Sequence, residues 1–211
     1  MKFFSIYSLL LLTILPLLSC QKSENSTKQI DNNSYITDFE LLQENPNNET
    51  SVKITSPKAI INQQNNNIDI FDSSIVIATN NEKDLLVRSG NSSINNLSNI
   101  INVYNNVKIS FLNNENFLII TNAFNWDLKT SVIDINYPLN IIFDNSNIIA
   151  SNGFYNIDLS LLNIFDTKYN RYIYNSDGKK EYQLEIKSDF AKWFKKDNTL
   201  VFTSYENQVE T

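Results

Sequence analysis

Residues 133–144 read IDINYPLNIIFD, with Ile133, Ile135, Tyr137, Leu139, Ile141 and Phe143 on successive odd positions and mostly polar residues between them. A period of two sends alternate side chains to opposite faces of a strand, so the run is β structure with one dry face. Its twelve residues are about twice the usual strand length. Pro138 has no N–H to give a ladder, so the run is either an edge strand or two strands meeting at a kink. Whatever the chain folds into must cover that face, with another sheet or with something that is not protein.

The same period recurs along the chain. Ile68 and Ile70, Ile75 and Ile77, and Leu85 and Val87 begin it, and Ile101, Val103, Val107, Ile109 and Phe111 share one parity. Polar breaks such as QQNNN, TNNEKD, LNNEN and DNSN separate the runs, and hardly any helical period is present. Many short strands between polar turns predict an all-β sandwich, roll or barrel. A faint repeat runs through FLIITNAFNWD, NIIASNGFYNID and QLEIKSDFAKWF. Each has an apolar run, then Thr121, Ser151 or Ser188, then an aromatic two or three residues later, and this reads as a stack of similar β units. Leu118, Ile119 and Ile120 are expected in the core, and Phe124 and Trp126 as plugs of a sheet.

Composition narrows the chemistry. Histidine is absent and cysteine occurs once, which removes the common metal ligands and the Ser-His and Cys-His nucleophilic pairs. A net charge of −6 supplies no basic stripe for phosphate backbones, so nucleic acid is not an expected partner. No metal and no cofactor is expected. Asp127, Asp134, Asp144, Asp158 and Asp166 are the carboxylates from which a glycosidase pair would be drawn, but each sits at or beside an expected turn, where Asp serves the backbone. Ser188 and Lys192 form no nucleophile motif. Tyr169, Tyr172 and Tyr174 with Arg171 suggest a sugar-stacking patch, or merely the two faces of a strand.

Residues 1–20 carry a basic start, the apolar run FFSIYSLLLLTILPLLS and then Cys20, the outline of a secretion leader. Two readings stay open: cleavage before Cys20 with lipid attachment to its thiol, or an uncleaved membrane anchor. Both place the body outside the cytoplasm and tie it to a membrane. Residues 21–51 are polar apart from a patch at Phe39, Leu41 and Leu42, and are expected to be a tether spanning roughly 30 Å. The body is expected over residues 52–211.

The stretch YPLNIIFDNSNIIASNGFYNIDLSLLNIFDTKYNRYIY resembles the LptC family and, more loosely, its LptA relatives. Pro138, Ala150, Gly153 and Asp158 fall on the family's strand, turn and strand pattern. The preceding INVYNNVKISFLNNENFLIITNAFNWD is similar to the unit before it, with Val107 and Ile109 on its first strand and Phe124, Trp126 and Asp127 at the next turn. The resemblance covers most of residues 68–211. It implies an open β-jelly roll of two packed antiparallel sheets behind an N-terminal membrane anchor and tether. It also implies a periplasmic, non-catalytic protein that accepts lipopolysaccharide from the LptF and LptG subunits of an inner-membrane transporter. The lipid then passes to an LptA-like bridge protein by pairing of edge strands. The expected acyl-chain lining is Val107, Ile109, Phe111, Ile133, Ile135, Leu139, Ile141, Phe143, Tyr182, Leu184 and Ile186, residue types that ordinary core packing demands equally. Two other functions stay open, an envelope polysaccharide-binding β-sandwich lipoprotein and a β-scaffold glycoside hydrolase. After LVFTSYENQVE a roll is expected to add another strand, so either the last edge is short or another chain completes it.

Overall fold

The computed structural model describes residues 33–45, 50–79, 82–95, 97–112 and 114–204. The leader, Cys20 and the first part of the expected tether lie outside the described residues. Thirteen antiparallel strands form one sheet: β1 (Asn33–Asn45), β2 (Thr50–Asn62), β3 (Asn67–Thr79), β4 (Glu82–Asn95), β5 (Ile100–Phe111), β6 (Asn114–Asp127), β7 (Val132–Ile135), β8 (Leu139–Phe143), β9 (Ser146–Ala150), β10 (Asn152–Asn156), β11 (Leu161–Tyr174), β12 (Lys180–Phe194) and β13 (Thr199–Thr203). The described residues contain no helix. β1 corrects the expected tether: residues 33–45 pair with β2 along almost their whole length. The polar composition hid this strand because only Ile36, Phe39 and Leu41 turn inward against the core.

The short strands show how the sheet is arranged. β6 pairs with β8 through residues 118–121 and with β7 through residues 125–127. β11 pairs with β10 through residues 161–165 and with β9 through residues 168–171. β7 with β8, and β10 with β9, are therefore two further long strands broken at their middles. The dry-faced run at 133–144 is one of them, interrupted at Asn136, Tyr137 and Pro138. The sheet doubles over along a line crossing the middle of every long strand, so each strand contributes one half to a first layer, with β7, β10 and β13, and the other to a second layer, with β8 and β9.

A strand that bends through such a fold must keep the same side facing the interior, and the chain does this by inserting residues. Within each layer inward side chains step by two, as the period of a strand requires. Across the fold line the step becomes three at Ile36 to Phe39, Ile70 to Ser73, Thr121 to Phe124, Ile164 to Thr167 and Ser188 to Ala191, and four at Val103 to Val107 and Ile135 to Leu139. The ladder skips at the same places. These are β-bulges, and several inserted residues take left-handed backbone: Asp38, Asp72, Asn105, Asn106 and Asp166 have φ between 50° and 66°. Asp and Asn tolerate that region better than other residues with a Cβ.

A bulge leaves carbonyls without ladder partners, and a buried unsatisfied one costs about 1–3 kcal/mol. Hydroxyls on the fold line answer this. Ser89 Oγ shares a hydrogen bond with Ser73 Oγ at 2.7 Å and donates to the Asn91 carbonyl at 2.9 Å. Thr121 Oγ1 donates to the Pro138 carbonyl at 3.1 Å, while the Phe165 carbonyl accepts from the Ser151 backbone N–H at 3.0 Å. Ser188 Oγ donates to the Phe190 carbonyl at 3.1 Å and shares a hydrogen bond with Thr167 Oγ1 at 2.6 Å. Thr121, Ser151 and Ser188, the anchors of the faint repeat, are thus three points on the fold line.

Gly153 sits where β10 leaves the fold line, and a Cβ there would lie 2.6 Å from the Asn163 carbonyl oxygen and 2.9 Å from Ile164 Cγ2. Gly153→Ala is expected to cost about 2–3 kcal/mol through forced backbone displacement. Ser188→Ala is expected to cost about 1–2 kcal/mol. Urea unfolding should show both as lower midpoints with an unchanged slope.

Candidate functional site

The space between the layers is lined mainly by apolar side chains, with hydroxyls along the fold line, and receives most of the residues expected to hold a ligand. Val107, Ile109 and Phe111 on β5, Leu139, Ile141 and Phe143 on β8, and Leu184 and Ile186 on β12 face it from the second layer. Ile133 and Ile135 on β7 face it from the first. The backbone of Tyr182 belongs to β12, and its side chain lies outside the described residues.

Burial divides this set. The seven residues from Val107 through Ile141 are at most 2% exposed and belong to the core. Phe143, Leu184 and Ile186 are only partly buried. Among the described residues nine partly buried apolar side chains pack against the core, and six of them, Ile36, Leu41, Leu184, Ile186, Leu200 and Phe202, lie on β1, β12 and β13. The interior is therefore closed in the middle of the sheet and opens at its two ends. Among the described residues those ends are also the backbone edges: β1 pairs only with β2, β13 pairs only with residues 190–194 of β12, and no strand pairs with residues 180–188 of β12 on the side away from β11.

Near the second opening, rings from both layers interlock. Phe117 of β6 stacks on Trp193 of β12 with centroids 3.8 Å apart. Phe111 meets Phe117, Tyr155 of β10 and Trp193 edge-on at 5.1, 5.2 and 4.9 Å. Such pairs add about 0.5–1.5 kcal/mol each beyond the area they bury. Burial pushes the Tyr155 hydroxyl above its ordinary pKa, so it stays neutral. Beside the rings, Lys195 after β12 pairs with Asp84 on β4, joining the two layers by an ion pair whose side chains are 15% and 9% exposed. Desolvation lowers the pKa of Lys195 from its ordinary value, and its ammonium also lies over the Phe111 ring.

The chemistry proposed for other residues is not assembled. Asp127 accepts from the Lys129 N–H at 2.8 Å, Asp134 from Asn136 Nδ2 at 2.8 Å, and Asp166 from Ser151 Oγ at 2.8 Å, which are turn and fold-line roles. Ser188 is buried on the inner face, whereas Lys192 lies outside over the Phe190 ring. Tyr169 is buried and bonded to Ser146, while Tyr174 is 49% exposed, so the tyrosines form no single platform. Leu118 and Ile120, expected in the core with Ile119, are half-buried on the outer face, because a strand with one inner face buries alternate residues. Phe124 and Trp126 are core, as expected. Sequence reasoning passed over Phe117, Tyr155, Trp193, Leu200 and Phe202. Trp193 stood in the third repeat segment, five residues after Ser188, and that register was its only signal.

A family model described as lipopolysaccharide-assembly, LptC-related matches residues 3–167. No curated protein matches the chain.

The Asp84–Lys195 pair yields a two-step expectation. Asp84→Asn strands a buried ammonium and is expected to cost about 3 kcal/mol, and a second change, Lys195→Met, is expected to restore most of the loss. Urea midpoints of the two variants check this; equal losses would mean the pair does not join the layers energetically.

Proposed function

Because the chain belongs to the lipopolysaccharide-assembly, LptC-related family, we propose that it is a bridge that holds the acyl chains of lipopolysaccharide between its two layers. It relays the lipid from the LptF and LptG subunits of the inner-membrane transporter to an LptA-like protein. The family is non-catalytic, and the chain is not an enzyme. The observation that carries the reading is the position of the partly exposed apolar residues. They gather where no described strand pairs with the backbone edge, at β1 and at β12 with β13.

The physical argument follows from that coincidence. An unpaired edge is ordinarily a hazard, since it templates association with any free strand. An edge beside an opening of an apolar interior has a use, because strand addition aligns two interiors as it joins two backbones. Each acyl methylene moved from water into such a space gains about 0.8 kcal/mol, so a lipid with several chains is held without a basic lining. The closed centre means that passage separates the layers locally, with lipid replacing the contacts between side chains. Lipid attachment at Cys20 or an uncleaved leader keeps the protein at the inner membrane, in the periplasm.

A photo-crosslinking residue at half-buried Ile186, with outward Lys187 as control, tests this in cells. The expected result is a lipopolysaccharide adduct at position 186 that depends on cellular ATP, and none at 187. Folded protein that gives no adduct at 186, at Leu184 or at Phe202 would mean that the interior is only core.

A further inference from the structure

The acyl-binding reading uses no charged residue, yet besides the Asp84–Lys195 pair an exposed cation stands at the open end of the interior. By alternation Thr167, Tyr169 and Arg171 share one face of β11; the first two are buried and Arg171, opposite Ser146 of β9 and Leu184 of β12, is exposed at the end of that face. A pocket of about 240 Å³ opens beside it, with Phe143, Trp193 and Leu200 as its apolar wall and Arg171, Asn145 and Asn198 among its polar residues. Trp193 belongs to the core, and Phe143 and Leu200 pack on it, so the pocket is the polar end of the interior rather than a separate dent.

The donors there are available. Among the described residues Arg171 has no ion pair or side-chain hydrogen bond. The Asn198 side-chain oxygen accepts from Trp193 Nε1 at 3.1 Å, which leaves its NH₂ as the group able to donate. Asp144 shares the rim. Its charge cancels that of Arg171, and the whole chain is acidic, so no long-range field draws anions in. Recognition must come from directed donors. A guanidinium presents a planar fork that matches two oxygens of one oxyanion, and hydrogen bonds to charged groups are the stronger kind.

We propose that this pocket binds a phosphate group on the headgroup of the amphiphile whose acyl chains enter the same opening. The proposal rests on the acyl-binding reading and adds the part of the ligand that reading left unrecognised. Arg171 is the donor that distinguishes a phosphorylated lipid from a neutral one, and Asn198 supports it. Because Asp144 opposes free anions, phosphate is taken only when apolar chains deliver it.

Native mass spectrometry of the full chain, released from nonionic detergent, tests this with lipid A and its dephosphorylated form carrying the same acyl chains. The phosphorylated lipid is expected to bind about tenfold more tightly, equivalent to about 1.4 kcal/mol. Arg171→Gln is expected to bring the two lipids within about twofold by weakening only the phosphorylated one, and Arg171→Lys to keep part of the preference as a point charge. Inorganic phosphate in millimolar excess is expected not to compete. Equal binding of the two lipids by the unaltered chain, or a loss on Arg171→Gln that falls on both alike, would overturn the pocket while leaving acyl binding intact. Displacement of lipid A by free phosphate would make the site one for free anions and overturn it too. Failure to bind either lipid would bring down the acyl-binding reading, and the pocket with it.

Discussion

Every long strand in this protein has to turn a corner without turning over. Period-two alternation gives a strand one inward face, and a fold across its middle points the second half away from the interior unless the register changes. A bulge makes that change, and its cost is an interrupted ladder within a buried region. Left-handed Asp and Asn residues supply the geometry, and hydroxyls at Ser89, Thr121 and Ser188 supply hydrogen bonds. Two apolar faces can then confront each other within one continuous sheet.

Folding one sheet on itself also decides where the interior meets solvent. In the middle, neighbouring strands on both sides seal each inward residue, as at Ile135 and Ile141. At β1 and at β12 with β13 no further described strand follows, so side chains of the same kind are left partly uncovered where no described strand pairs with the backbone. Opening and edge coincide for a geometric reason, and a relay needs both at one place. The ring cluster around Phe111, Phe117 and Trp193 and the Asp84–Lys195 pair hold the layers together beside one of those openings.

Much of this was legible before any coordinates. Alternation at Ile101 through Phe111 marked strands with an inner face, and Pro138 marked a break in the run at 133–144 that proved to be two short strands in different layers. The repeat anchored on Thr121, Ser151 and Ser188 was real, though its meaning was not visible: these residues mark a bend, not the start of a unit. β1 was missed because an edge half-open to solvent needs few apolar residues, and polar Asn and Glu around Phe39 and Leu41 looked like tether. Leu118 and Ile120 were assigned to the core from hydrophobicity alone, although their strand has only one buried face.

The sequence by itself determined an all-β chain, the inward face of its strands, the turn duty of Asp127 and its family resemblance. These follow from local rules: the period of two, the backbone demands of turns and the identities of single residues. Tertiary structure alone decided which inward residues are sealed and which lie at an opening, and it alone brought Arg171 beside Phe143 and Trp193. Those facts depend on how many strands flank a position and on which halves of distant strands the fold line sets face to face. No local pattern encodes either one, because a core isoleucine and a groove isoleucine are the same residue until their neighbours are known.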